Sequence, residues 1–288
     1  MKVLLVPNHT RADAIAGGRE LESWLEGEGV SVAWAHDKRL FPARQTSAEG
    51  CDLVVSLGGD GTLLRAAKIV GYSEIPIVGI SYGHLGFLTS AGPEDLIGTV
   101  AAALAGELHV SHRATLAITA DFERADGSAY SLDSFALNDL AVSRSGQGSV
   151  VEFDISVSGH HIDRLRGDGF VVSTATGSTG YALAAGGPIV TPEFSGMVCV
   201  PIAPHTIMAR GFLTSPSDVV EITMSPERPS KRHFIADGQP LGEEDVEGFE
   251  GMHVTIRRGP GDILLLDHSA QSFYQSVSRV FYGKTGGK

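Results

Sequence analysis

The sequence is poor in cysteine, in basic residues and in long apolar runs, and each shortage excludes a class of protein. Only two cysteines occur, Cys51 and Cys199, each inside an apolar run. That is too few for a disulfide framework, and the pattern predicts buried thiols in a reducing, cytoplasmic compartment. Lys and Arg number 22 against 34 Asp and Glu, a formal charge of −12. Backbone phosphates and anionic membranes select basic surfaces, so neither a nucleic acid nor a membrane is expected as a partner. The apolar start Met1–Val6 stops at Pro7-Asn8, too short for a signal core or a membrane span. A soluble, unexported protein is the expectation.

What is plentiful is glycine, 36 of 288 residues, beside 42% hydrophobic residues. That mixture suits a loop-rich α/β enzyme of one large or two moderate domains. Through the first third, strand-length runs (Val3–Val6, Val30–Ala35, Leu53–Leu57, Ile75–Ile80) alternate with helical patterns. One helix spans Ala12–Gly27, with Ile15, Leu21, Trp24 and Leu25 at helical spacing, and another is opened by Pro93-Glu94-Asp95. This alternation predicts a doubly wound parallel sheet over residues 1–110.

Near Leu108–Arg113 the period changes to two. Leu116, Ile118, Ala120 and Phe122 share one face, Asp126-Gly127 marks a hairpin turn, and Val151, Phe153, Ile155 and Val157 alternate with polar residues. Further strands are expected at Gly169–Ser173, Val198–Ala203, Val219–Met224, His253–Arg257 and Ile263–Leu266, with one short helix near Ser178–Ala185. The prediction is an α/β plus all-β protein whose second, β-sandwich domain covers 111–269. A helix over 270–282, carrying Phe273, Val277 and Val280, returns to the first domain, and the tail from Gly283 frays.

The most informative segment is Gly58-Gly59-Asp60-Gly61-Thr62, set between the apolar run Cys51–Leu57 and the helical pattern Leu63–Val70. Glycines leave peptide N–H groups uncovered, and a following helix N-terminus favours anions, so the loop suits a phosphate chain. It lacks the spacing of a Walker loop and of a dinucleotide fingerprint. A carboxylate at its centre repels phosphate unless it handles a proton or a metal-bound species. The bland alternative is a helix N-cap aspartate in a tight turn.

Four more segments follow in order: Gly79–Leu88, Ala136–Asp139, Asp168–Tyr181 continuing to Gly186–Val190, and Pro201–His205. Together the five blocks resemble the NAD kinase family, across residues 1 to about 280. The resemblance implies phosphorylation of the 2′-hydroxyl of the adenosine ribose of NAD, an alcohol-acceptor phosphotransferase reaction. It implies an N-terminal α/β domain, a C-terminal β-sandwich and NAD in the cleft between them. It also implies ATP with a divalent metal such as Mg²⁺, or inorganic polyphosphate, as donor, the metal being carried by the donor phosphates, and a homodimer or homotetramer.

By position, the resemblance makes Asp60 the general base and places Gly58, Gly59, Gly61, Thr62 and Arg65 on the donor phosphates. It assigns the NAD site to Asp60, Gly61, Phe87, Asn138, Asp139, Asp168, Thr179, Gly180, Tyr181 and Ala184. Within that pattern Asp139 stands where Glu is usual, one methylene shorter. Ser81, Ala175, Gly180 and Ala184 stand where Asn, Pro, Ala and Ser are usual. A lipid or sugar kinase of the same superfamily and a catalytically silent NAD(P) sensor are the alternatives.

Other polar features read more plainly. His160-His161 is expected in a solvated turn, since adjacent strand histidines face opposite sides and no further ligand completes a metal site. Arg164 and Arg166 could draw pyrophosphate or offset nearby acids, and His205 reads as a structural or rim residue. Ser173, His205 and Asp237 do not make a hydrolase triad, because no nucleophile elbow surrounds the serine. The hydroxyls of 173–180 read either as a ligand-lining cradle or as a helix cap.

Overall fold

The computed structural model describes residues 1–37, 39–40, 45–123, 126–144, 150–225, 232–241, 250–269 and 272–283. The chain divides into two compact units, residues 1–112 with 261–288, and 113–260.

The first unit opens with the predicted alternation. Strand β1 (Lys2–Pro7) leads to helix α1 (Ala12–Gly27), then β2 (Ser31–Trp34), β3 (Leu53–Gly58), α2 (Asp60–Val70), β4 (Ile77–Ser81), α3 (Leu96–Ala105) and β5 (His109–Arg113). Strand β1 pairs in parallel with β2 and β3, and β3 with β4. Side chains alternate across the sheet, so its two faces need separate cover. Val3, Leu5, Val55, Leu57, Val78 and Ile80 share a core with Leu21 and Leu25 of α1 and Leu96 and Val100 of α3. Helix α2 covers the other face: a Cβ on Gly79 would run into Leu63. The last turn of α3 closes on Gly106 at φ 73°, a left-handed cap that glycine adopts without strain.

The second unit holds β6 (Leu116–Glu123), β7 (Ala129–Ala136), β8 (Asp139–Arg144), β9 (Val151–Val157), β10 (His160–Gly167), β11 (Gly169–Ser173), the four-residue helix α4 (Tyr181–Ala184), β12 (Val198–Ile202), β13 (Phe212–Leu213), β14 (Val219–Met224), β15 (Arg232–Ala236), β16 (Gln239–Pro240) and β17 (Glu250–Arg258). They form two sheets, ordered β10-β9-β14-β17-β6-β7 and β13-β12-β11-β8-β15-β16. The inward residues of both, among them Phe122, Phe153, Phe170 and Phe234, make one core. This is a β-sandwich. The hairpin joining β6 and β7 runs in register from Leu116↔Ala136 to Glu123↔Ala129, with Gly127 at φ 80°.

The chain then returns to the first unit with β18 (Ile263–Asp267) and α5 (Ser272–Tyr282). Strand β18 lies parallel to β4, Leu265 opposite Ile77, and the full sheet order is β2-β1-β3-β4-β18-β5. This corrects the expectation that Ile263–Leu266 belongs to the second domain. A run of buried aliphatics fits a sandwich strand and a central parallel strand equally well, and pairing alone decides. Residues 270–271 of the expected final helix and residues 284–288 of the tail lie outside the described residues.

Candidate functional site

In the first unit, β3 is buried along its whole length and delivers Gly58 to the edge of the sheet where α2 begins. The helix starts at Asp60, three residues before the sequence pattern suggested, with Gly59 as an extended N-cap and no side-chain cap. Asp60 therefore does not cap its own helix. Its carboxylate crosses to the loop after β4, where Oδ2 accepts the Phe87 N–H at 3.1 Å and Oδ1 accepts the Leu88 N–H at 3.3 Å. A Cβ on Gly86 would fall inside this carboxylate, so only glycine leaves the space. Gly59 and Gly61 have no atom within 4 Å of where a Cβ would stand.

Beside them opens a cleft of about 430 Å³ whose lining includes Gly59, Gly61, Thr62, Arg65, His9 and Arg39. Thr62 is buried, and its side chain occupies the space a Cβ on Gly58 would need. The Arg65 guanidinium donates to the Pro7 carbonyl at 3.3 Å and to the His36 carbonyl. Burial draws its pKa down, with Asp37 acting in the opposite sense. Arg39 grips Asp37 through both carboxylate oxygens, at 3.0 and 2.7 Å, and holds that carboxyl down at about 2. His9 and Arg39 were missed from the sequence. The available signal was positional, since ligands of open parallel sheets gather at carboxyl ends of strands and His9 closely follows β1. The Phe87 ring stacks on Phe281 with centroids 5.9 Å apart and lies 6.3 Å from Phe273.

In the second unit, Asn138 and Asp139 lie where one strand ends and the next begins. Strand β7 stops at Ala136 and Asp139 begins β8. Asp237 holds the turn between them: its carboxylate accepts the N–H groups of Leu137 at 2.8 Å, Asn138 at 2.7 Å and Asp139 at 3.2 Å. Asp237 and Gly238 have φ of 48° and 75°, the two positive values of a tight hairpin turn, for which Asp-Gly is the usual sequence. Asp237 is thus the residue whose role the sequence reading missed, and Asp-Gly was the overlooked signal. Burial, and then the Asp237 charge, push the Asp139 carboxyl up to about 7. Asn138 Oδ1 is a buried acceptor without a protein partner among the described residues. Such an atom is costly unless a ligand or water fills its need.

The 173–180 segment is largely self-satisfied. Ser173 Oγ donates to the Asn138 carbonyl at 3.1 Å, Thr174 Oγ1 to the Leu137 carbonyl at 2.6 Å, and Ser178 Oγ to the Ala175 carbonyl at 2.6 Å. These three hydroxyls brace the Asn138 turn and the following 3₁₀ turn. Thr179 is half-buried, while Gly180, Tyr181 and Ala184 are exposed. A Cβ on Gly180 would come within 3.9 Å of Asn138 Nδ2 and 4.0 Å of Asp139 Oδ2. The structure therefore brings Asn138, Asp139 and Gly180 together. It sets Asp168 apart, at the other end of the β8–β11 pair, roughly 15–20 Å along the strands by their rise. There Asp168 Oδ1 meets Arg144 Nε at 2.8 Å.

The remaining polar candidates act locally. His160 and His161 are exposed but open β10 rather than lying in a turn, and His161 Nε2 is 3.1 Å from Asp154. Arg164 pairs with Asp154 at 2.9 Å and Arg166 with Glu152 at 3.8 Å, so both offset local acids. Among the described residues no three His, Cys, Asp or Glu side chains group closely enough to hold a metal ion, and no helix is long and apolar enough to cross a membrane.

An α/β unit with a carboxylate set between glycines beside an open cleft, followed by a sandwich bearing an Asn-Asp turn with a buried, unpartnered acceptor, is the form of a two-domain phosphotransferase. The ATP-NAD kinase N-terminal domain model matches residues 28–108 and the ATP-NAD kinase C-terminal domain model residues 137–266. A protein of Nitrosospira multiformis named NAD kinase is 32% identical over 283 residues, covering 96% of this chain and 93% of the relative. One of Alcanivorax borkumensis is 35% identical over 284 residues, covering 94% and 90%. The crystal structure of an NAD kinase from Archaeoglobus fulgidus in complex with ATP superposes with a TM-score of 0.74 at 26% identity, covering 97% of each chain. Yeast NADH kinase complexed with NADH shares the fold, with a TM-score of 0.84 at 20% identity over 100% of this chain and 89% of that one. The chain belongs to the NAD kinase family. Its activity is that of an NAD kinase, which sets aside the lipid kinase, sugar kinase and silent sensor alternatives.

Proposed function

We propose that Asp60 is the general base for phosphoryl transfer to the 2′-hydroxyl of the adenosine ribose of NAD. The observation that carries this reading is the placement of its carboxylate: two peptide N–H groups orient it while the adjoining glycines leave the neighbouring cleft uncovered. In the step, the hydroxyl oxygen forms a bond to the terminal phosphorus of the donor. The bond from that phosphorus to the bridging oxygen breaks, the leaving phosphate chain takes the electron pair, and the hydroxyl proton passes to Asp60. The transition state is loose and highly charged, so alignment and charge stabilisation account for most of the rate.

The donor lies along Gly58, Gly59, Gly61 and Thr62, with Arg65, Arg39 and His9 on the cleft wall. ATP is the donor that the Archaeoglobus neighbour's complex favours, and polyphosphate offers similar oxygens to the same glycines. A divalent cation such as Mg²⁺ fits as a passenger on the donor phosphates, where it neutralises charge. Asn138 and Asp139 take ribose hydroxyls or adenine edges of NAD, the orphan Asn138 Oδ1 supporting this role. Asp168, Thr179, Gly180, Tyr181 and Ala184 of the second unit, and Phe87 of the first, are the further residues proposed to contact NAD. The working form is a homodimer or homotetramer, and two buried free thiols suit the reducing cytoplasm.

Incubated with NAD, ATP and Mg²⁺, the protein is expected to form NADP. Asp60→Asn keeps NAD binding and loses about 10²–10⁴-fold in turnover, the usual worth of a general base. Full turnover in that variant would remove the carboxylate from the mechanism.

A further inference from the structure

The structure assigns to Arg279 the part of a positioning residue that acts on the Asp60 carboxylate through a single peptide group. This rests on the reading of Asp60 as the base. On α5, the Arg279 Nη2 shares its two hydrogens among three acceptors, the carbonyls of Leu85 and Gly86, each at 3.3 Å, and Ser276 Oγ at 3.2 Å. The Gly86 carbonyl and the Phe87 N–H belong to the same peptide plane. That plane receives the guanidinium at its oxygen and gives its hydrogen to Asp60 Oδ2 at 3.1 Å.

A cation at a carbonyl oxygen draws electron density through the amide and makes its N–H a stronger donor, because hydrogen bonds in a chain polarise one another. The planar guanidinium can serve two neighbouring carbonyls at once, which fixes the loop's direction as well as its charge. The same loop is pinned from α5 by the Phe87 ring, stacked on Phe281 and tilted against Phe273. Its tight path is closed by the Gly86 N–H donating to Thr89 Oγ1 at 3.2 Å. A Cβ on Gly86 would overlap the Asp60 carboxylate, so the loop backbone packs directly against the base. Helix α5, nearly two hundred residues further along the chain, thereby sets the aim of the base.

The test compares Arg279→Met, Arg279→Lys and Asp60→Asn in the full chain, by steady-state NADP formation and by amide hydrogen exchange. Methionine keeps an unbranched, helix-favouring stem without charge or donors. Arg279→Met is expected to lower kcat about tenfold, the rate equivalent of one hydrogen bond to a charged group, with KM for ATP unchanged. Faster exchange at Phe87 and Leu88, but not in β3 or β4, accompanies it, and Arg279→Lys recovers most of both. If Arg279→Met melts well below wild type, Ser276→Ala, which only releases the guanidinium, is expected to show a smaller loss of the same kind. Wild-type kcat or unchanged protection at Phe87 and Leu88 in the folded variants overturns the assignment. Wild-type kcat in Arg279→Met beside an inactive Asp60→Asn defeats this inference alone, whereas an active Asp60→Asn defeats the reading of the base.

Discussion

Two aspartates at the ends of buried strands have opposite surroundings. Asp60 faces N–H donors: Phe87 and Leu88 each give it one, and the next groups along the chain are bare glycines. Asp139 faces a second carboxylate, for Asp237 takes the backbone donors of the turn, including the N–H of Asp139 itself. The same side chain is thus oriented as an acceptor in one unit and pushed toward its neutral form in the other. Position beside the end of a strand does not set the chemistry of a carboxylate. What sets it is burial first, and then whether donors or like charges reach it.

The largest way to break this comparison is to disturb the packing of Asp60 against its donor loop without replacing Asp60. Gly86→Ala places a methyl group where the carboxylate lies, and either the loop or Asp60 must move. Displacing a reacting group by about 1 Å can cost about 10²-fold, so kcat is expected to fall by that order while the protein still folds. NADP formation and a melting curve measure both. Normal kcat in Gly86→Ala would mean that the aim of the carboxylate is unimportant.

A smaller effect is expected from Asp237, which serves the other side of the comparison. Asp237→Ala leaves the N–H groups of Leu137, Asn138 and Asp139 without their acceptor and puts alanine at φ 48°. Partly buried, unsatisfied donors and a strained backbone together cost about 2–3 kcal/mol. Urea unfolding measures the loss. Asp237→Asn retains an acceptor and tolerance of the left-handed region, so it should recover most of it. Equal stability of the alanine variant would show that the turn is held from elsewhere.

Much of the first unit was legible because periodicity and glycine placement are local signals. The helix over Ala12–Gly27 and the strand before Asp60 follow from spacing alone. Strand β8 was missed because Leu140, Ala141 and Val142 are apolar without alternation, being buried on both faces within a central strand. Strand β18 was found but given to the wrong unit, since its partner β4 lies far away in sequence. Within the sites, Asp60 announced itself by its glycines. Asp237 was marked only by its Asp-Gly turn, and Arg279 not at all, because each acts on peptide groups about a hundred or more residues distant, and such bonds leave no mark on local sequence.

The sharpest test of the contrast is the proton on Asp139. Its carboxyl titrates near 7 when folded, against an ordinary value of 3.8. Between those values the folded chain binds more protons than the unfolded chain, so stability falls as pH rises through the window and levels off above it. Asp139→Asn carries no titrating proton there and should flatten the decline, gaining relative to wild type at about pH 8 but not at about pH 4. Asp237→Asn should bring the Asp139 midpoint down only part of the way, because burial is the larger cause and the neighbouring charge the lesser. Urea unfolding of the three proteins across this range decides the matter. A wild-type slope that survives in Asp139→Asn would place the proton on another group and end the claim that Asp139 is pushed toward its neutral form.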